Sequence, residues 1–600
     1  MKITSKYYKI FLSMLITLWI LITPTAFAAT EEDYTKFDLR EHISIPVQDQ
    51  KSTQYCWTFA SNTVLQTNLL LTKKETFDFS ERHMEYATSK TFSDGINNLA
   101  HNREVNSGGN ERVAMAYYTS GRGPVLETEM PFSISQNPIA LAEIEGKTVQ
   151  KKITDYIAFP EILKTKDETG NITYTNNAKN ITYTETEVEV NRTKIKEHIM
   201  QYGAVTAMTV SGTAYSEYYN YNMEYPAFYC DNSSLTLNHQ ITIIGWDDNY
   251  EITNFNEQHR PSKPGAYLVL TSYGTNGNYP NGCYYVSYED AFIEISVLGV
   301  INIENIDYDK IYQYDPLGLV NNITYGNNET LYGANVFSKN AKEIEQINEI
   351  SIAAHLEQDV EVYINAQDGD LTKVQKVEIE QTKIRQGYTT IKLKNPVKLT
   401  GDKFVVAVKY INKGKKAGIG VEIASTGYWT TATSNAGESY FSTDMTKWTD
   451  LVNAGVSNTN ICIKAFTTRV IESEQYEIEN DIIYKISQKT TVKDFKAKMN
   501  LVEDDKIFKD NIELTENEFV KTNSVLRTSN NKTYTLVVTG DTKGRGQIDM
   551  LDVAGVQLHY VGLEQLTGVY LKAADTNFDS KIDMLDVARV LLVHVGLMSL

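Results

Sequence analysis

The 600-residue sequence holds only four cysteines, which excludes a disulfide-stapled scaffold. Positive charge is also scarce. Against 76 acidic residues stand 57 lysines and arginines, a formal net charge of −19, and no basic stripe is left for a nucleic-acid partner. Low-complexity tracts are missing, so composition does not force a disordered reading. Beyond the N-terminus no apolar run is long enough to span a bilayer, and no transmembrane anchor is expected. A single core cannot serve a chain of this length, so about three to five domains are expected.

What is present begins with a leader. Lys2, Lys6 and Lys9 precede the apolar run Ile10 to Ile22, and Ala26-Phe27-Ala28 follows as a small-residue cleavage site. This is the pattern of an export signal over residues 1–28. The mature chain is then expected to start near Ala29 and to work secreted or at a cell surface.

The most informative stretch is Gln50-Lys51-Ser52-Thr53-Gln54-Tyr55-Cys56-Trp57-Thr58-Phe59-Ala60. A cysteine followed by Trp and a Phe-Ala run, with Gln six residues upstream, resembles the nucleophile segment of the papain-like cysteine peptidases. The resemblance implies that Cys56 opens a helix and attacks the peptide carbonyl, and that Gln50 and the Cys56 N–H donate to the oxyanion. Phe37-Asp38-Leu39-Arg40 and Ile45-Pro46-Val47-Gln48-Asp49-Gln50 resemble the mature N-terminus of that family. They leave no room for a long inhibitory propeptide. Asn238-His239 heads the apolar run Gln240 to Ile244, in the manner of the family's histidine strand. His239 is thus the expected proton shuttle, paired with Cys56 as thiolate and imidazolium.

Other signals fit the same frame. Phe59, Val64, Leu65 and Leu69 to Leu71 mark a buried helix over Thr58 to Leu71, and Ser80 is a candidate N-cap of the next one. Gly108 and Gly109 in Asn106-Ser107-Gly108-Gly109-Asn110 are expected to let substrate backbone lie flat in the cleft. Gly123-Pro124-Val125 through Met130-Pro131-Phe132 is similar to a clostridial and archaeal subgroup of the family. The Thr- and Asn-rich stretch from about 147 to 191 reads as a surface-loop insertion. A helix over Thr193 to Tyr202 and a strand over Ala204 to Met208 come next. Where the family places an Asn before Ser-Trp-Gly, this chain has Thr271-Ser272-Tyr273-Gly274. Thr271 is the expected, shorter-reaching orienter of His239. Cys230 and Cys283 are either a disulfide or two buried thiols.

Short alternating runs such as Val360 to Ile364, Thr389 to Leu393 and Phe404 to Val408, parted by polar turns, predict an antiparallel β-sandwich over 304–469. It resembles the lectin-like domain of related surface proteins, which implies a cell-wall or host glycan; packing against the catalytic domain is the other reading. Residues 470–538 read as a small α+β linker module. The last segment, 539–600, repeats itself: Ile548-Asp549-Met550-Leu551-Asp552-Val553-Ala554 returns as Ile582-Asp583-Met584-Leu585-Asp586-Val587-Ala588. Duplicated acidic loops, each leading into a helix, resemble the EF-hand-like, α-helical dockerin, which implies calcium and a cohesin-bearing partner. Asp575, Asn577, Asp579, the carbonyl of Lys581, Asp583 and Asp586 stand at calcium-loop intervals. In the first loop Asp541, Asp549 and Asp552 remain, but Lys543 and Arg545 take ligand positions, so that site is expected to be weak or absent.

The chain is therefore expected to be multidomain: an α+β papain-like domain at 29–303, the β-sandwich, the linker module and the dockerin. Its expected activity is cysteine endopeptidase action on protein or peptide substrates. A surface binding protein whose peptidase fold has lost activity is the alternative, favoured by Thr271 and Tyr273.

Overall fold

The computed structural model describes residues 35–90, 101–137, 139–222, 225–339 and 343–600. The export signal lies outside them. The described residues form two compact units, divided after Glu304.

The first unit is built on helix α1 (Cys56–Lys73), whose residues from Cys56 to Leu69 are all buried. A helix buried all round must satisfy its polar side chains locally. Thr58 and Thr63 donate back to the carbonyls of Tyr55 and Phe59 at 2.8 Å. Asn68 Nδ2 reaches the carbonyls of Tyr202 and Val300, both at 2.9 Å. Lys74 ends the helix in the left-handed conformation, φ 60°. Helix α2 (Glu81–Ala87) starts where the sequence placed its cap, with the Ser80 hydroxyl accepting from His83 N at 2.9 Å. Helix α3 (Glu111–Thr119) is capped by Asn110.

A sheet forms the other half of the unit. In spatial order it runs β2 (Lys152–Ala158), β7 (Leu298–Glu304), β3 (Val205–Thr209), β4 (His239–Asp247), β5 (Ala266–Leu270) and β6 (Cys283–Ser287), all antiparallel; β1 (Lys36–Asp38) adds to the end of β4. Helix α4 (Glu185–Tyr202) packs on β7 and β4.

The expected surface-loop insertion over 147–191 is corrected. It contains strand β2, which pairs with β7, and a three-stranded antiparallel sheet of Leu163–Lys166, Ile172–Asn176 and Ile181–Tyr183. Its β-branched and aromatic residues favour a pleated surface even when its polarity resembles a loop. Helix α4 begins eight residues before the expected Thr193, because Thr184 and Glu187 close a capping box. Cys230 and Cys283 are buried free thiols.

In the second unit, two antiparallel sheets share one core. One contains Ile463–Arg469, Glu345–Ala354 and Gly387–Leu399; the other contains Gln358–Asn365, Lys403–Ile411, Thr330–Ser338 and Ser439–Ser442. Ile350, Ile391, Val362, Phe404, Val406 and Val408 from both sheets lie in that core, so this is a β-sandwich. Next comes an α+β module of helix α5 (Val492–Lys498) and a small sheet with one parallel pair, Ile482–Ile486 beside Thr533–Val538. Helices α6 (Met550–Tyr560), α7 (Gly568–Ala574) and α8 (Met584–His594) complete the chain. Among the described residues no helix is long and apolar enough to cross a membrane.

The sandwich and the α+β module are tied by Arg469, whose Nη1 and Nη2 each donate to Asp505 at 2.8 Å. Burial pushes the Asp505 carboxyl up, but hydrogen bonds from Arg469, Ser529 N and Val502 N more than offset this and hold it below the ordinary carboxylate range. Breaking such a pair leaves one buried charge uncompensated. Arg469→Ala should therefore destabilise the second unit by about 3 kcal/mol near neutral pH. Because the Asp505 pKa is depressed, this penalty should shrink as pH falls through the carboxylate range. Urea unfolding at several pH values checks both statements; an unchanged midpoint would refute them.

Candidate active site

Three chain segments meet around Cys56. The first is the turn before α1, where residues 48–50 run beside 272–274. Gln50 N donates to Ser272 O at 2.8 Å and Gly274 N to Gln48 O at 2.9 Å. The Gln50 side chain is buried and held at both ends: its Oε1 accepts from Ser272 Oγ at 2.6 Å, and its Nε2 donates to Thr53 O at 2.7 Å. A carbonyl can only accept, so this pair of bonds fixes the amide's orientation. One N–H of Nε2 is left for a ligand.

The second segment is the start of α1. Cys56 is its first residue, so the N–H groups of its first turn have no partners within the helix. Burial pushes the Cys56 thiol up, opposed by main-chain N–H groups of Gln240 and Trp57 that favour the thiolate.

The third segment is β4, headed by His239. Asn238 fixes its entry, accepting from Ser211 N at 2.8 Å and donating to Ser211 O at 3.0 Å. The His239 ring stacks on Tyr273, centroids 4.8 Å apart and planes 6° from parallel. Its Nδ1 lies 3.3 Å from the Tyr273 hydroxyl, which also meets Ser211 Oγ at 3.1 Å. Its Nε2 is buried without a hydrogen-bond partner. Burial pulls the imidazole down to about 4; burial, opposed by the hydrogen bond with Ser211 and aided by Cys56 and Tyr221 nearby, pushes the Tyr273 phenol up to about 12. Burial thus shifts the thiol up and the imidazole down, each toward its neutral form.

Thr271 is buried, and its hydroxyl accepts from Tyr273 N at 3.1 Å. It makes no bond to the His239 Nε2 atom. Tyr273 is a side chain that touches the imidazole. Gly108 is in the left-handed region, φ 80°. At Gly109 a Cβ would lie 2.4 Å from the Trp57 indole. The packing of Trp57 therefore accounts for this glycine before any substrate does.

Beneath the glycine loop lies a cluster that the sequence did not reveal. Glu85 and Arg103 form an ion pair with both side chains fully buried. Arg103 covers the Trp57 ring at 5.0 Å and donates through Nε to Gly108 O at 2.7 Å. Asn106 N donates to Glu85 at 2.6 Å, and Asn106 Oδ1 accepts from Gln54 N at 2.6 Å. The pair thus holds the loop over 103–110 against the turn before Cys56. Its only trace in the sequence is Glu85 standing four residues after the equally buried Glu81, two acids on one helix face.

A thiol at the N-terminus of a buried helix, facing a strand headed by histidine, defines a papain-like cysteine peptidase domain. Residues 34–258 match the papain family cysteine protease, residues 311–467 the lectin-like domain and residues 539–591 the dockerin type I domain. The chain therefore carries a papain family cysteine protease domain, a lectin-like domain and a dockerin. The solved structures that share the fold include two of one clostridial protein. The clostridial cysteine protease Cwp84 after propeptide cleavage is 24% identical with TM-score 0.59, covering 73% of this chain and 100% of that one. The cysteine protease and lectin-like domains of Cwp84, a surface layer associated protein of Clostridium difficile, are 24% identical with TM-score 0.57, covering 73% and 89%. No curated protein matches the sequence.

Gly109→Ala should displace Trp57 and destabilise the first unit by about 2 kcal/mol, the usual cost of overpacking. Thermal unfolding and near-ultraviolet circular dichroism check this; an unchanged melting point would show that the indole can move aside freely.

Proposed function

We propose that this protein is an exported cysteine endopeptidase, held on a cohesin-bearing partner by its dockerin. The observation that carries the reading is the seating of Cys56 against the Gln240 main-chain N–H, one residue after His239. In this reading the Cys56 sulfur attacks the peptide carbonyl carbon while its proton passes to His239. The Cys56 N–H and the free N–H of Gln50 Nε2 stabilise the oxyanion. His239 then gives the proton to the leaving amine, and water hydrolyses the thioester. Tyr273, rather than Thr271 through Nε2, supports the imidazole; Thr271 acts by tying down the Tyr273 backbone. Gly108 and Gly109 edge the cleft on a loop braced by Arg103.

In the dockerin, the second loop fits calcium by its donor set. Asp575, Asn577, Asp579, the Lys581 carbonyl, Asp583 and Asp586 would hold the ion, and among the described residues none of these carboxylates is paired with a cationic side chain. Calcium there would order the loop that leads into α8. The lectin-like domain is assigned a cell-wall or host glycan by resemblance alone.

The alternative, an inactive binding protein, draws on the unpartnered His239 Nε2 atom. Labelling the full chain with an epoxide inhibitor of papain-like enzymes separates the two readings. Modification should map to Cys56 and vanish in Cys56→Ala and His239→Ala; no labelling of folded protein would favour the alternative. Because burial raises the thiol and lowers the imidazole to about 4, alkylation of Cys56 by iodoacetamide should climb on a single alkaline limb. A flat plateau from acid to neutral pH would instead reveal a preformed ion pair.

A further inference from the structure

The two dockerin loops share one backbone frame. Asp541 accepts from Arg545 N and Gly546 N, both at 2.8 Å, just as Asp575 accepts from Asp579 N at 3.1 Å and Ser580 N at 2.8 Å. Asp552 accepts from Asp549 N at 3.0 Å, and Asp586 from Asp583 N at 3.0 Å. At the second position of each loop a threonine hydroxyl donates to the last aspartate, Thr542 Oγ1 to Asp552 Oδ1 at 3.4 Å and Thr576 Oγ1 to Asp586 Oδ1 at 2.9 Å. Both frames end in a helix capped by its own aspartate, Asp549 for α6 and Asp583 for α8.

Their side chains differ at one decisive place. Arg545 stands where the second loop has Asp579. Its Nη1 and Nη2 each donate to Asp549 at 2.6 Å, and Nη2 donates also to the buried Asp552 at 3.0 Å. Asp549 and Asp552 occupy the ninth and twelfth loop positions, whose counterparts are the proposed calcium ligands Asp583 and Asp586. Lys543, at the third position, directs its Nζ to Glu564 at 3.4 Å. The first loop therefore does not fit calcium: two oxygen donors are replaced by cations, and the surviving carboxylates already have a counter-charge.

We infer that the Arg545 guanidinium is the built-in cation of the first loop, doing there what calcium does in the second. A planar fork can meet both oxygens of Asp549 and still reach Asp552, which an ammonium group cannot do from the same stem. The first loop and α6 thus stay ordered without metal, and only the second half of the module responds to calcium. This rests on the assignment of calcium to the second loop.

The test uses the full chain. Calcium titration calorimetry should give one tight site in the wild type and a second in the double variant Lys543→Asn, Arg545→Asp. Two similar sites in the wild type would overturn the inference. Hydrogen exchange read by mass spectrometry, in a chelator, should show α6 protection falling by about tenfold or more in Arg545→Gln relative to wild type. Arg545→Lys should fall between them. Equal α6 protection in wild type and Arg545→Gln would also overturn the inference. A wild type that binds no calcium would sink the second-loop assignment instead, while loss of α6 protection in Arg545→Gln would still uphold the role of the arginine.

Discussion

The first unit depends on burying α1 against β4. A helix enclosed from Cys56 to Leu69 gives up solvation along its whole length, and it is tolerable only because its threonines and asparagines bond to nearby carbonyls. The same enclosure brings Cys56, at the start of α1, to the end of the strand that His239 heads. Both the thiol and the imidazole are buried, so both are pushed toward their neutral forms.

Charge pairs brace two loops of this chain. Glu85 and Arg103 are fully buried beneath the glycine loop, and Arg545 fills the acidic frame of the first dockerin loop. In each case a guanidinium offers several donors in a fixed plane, so one side chain joins backbone, carboxylate or ring at once. The fully buried Glu85–Arg103 pair adds little net stability when compared with apolar packing, but removing one partner is costly. Their benefit is position: a loop held by a bidentate pair has few alternative geometries.

Much of this was legible in local patterns. The apolar spacing from Phe59 to Leu71, the cap at Ser80, the strand after His239 and the alternating runs around Val360, Thr389 and Phe404 all report single elements whose burial follows from their own periodicity. The stretch from 147 to 191 was misread because its strands are polar and short. Their order comes from pairing with β7 and with one another, which no local window contains. The capping box of Thr184 and Glu187 is a local signal for the start of α4.

By itself the sequence determined the elements, the three domain resemblances, and the residue types at the nucleophile, histidine and acidic-loop positions, since these depend on short-range spacing. Tertiary structure alone decided what each of those residues touches. Thr271 and Tyr273 are two positions apart, yet only the fold turns the tyrosine ring onto His239 and the threonine hydroxyl onto the tyrosine's own N–H. Lys543 and Arg545 likewise look equally hostile to calcium, yet one side chain reaches Glu564 and the other enters the acidic frame. The physical reason is the same in both places. Composition sets which bonds a side chain can make, but direction and burial set which one it does make.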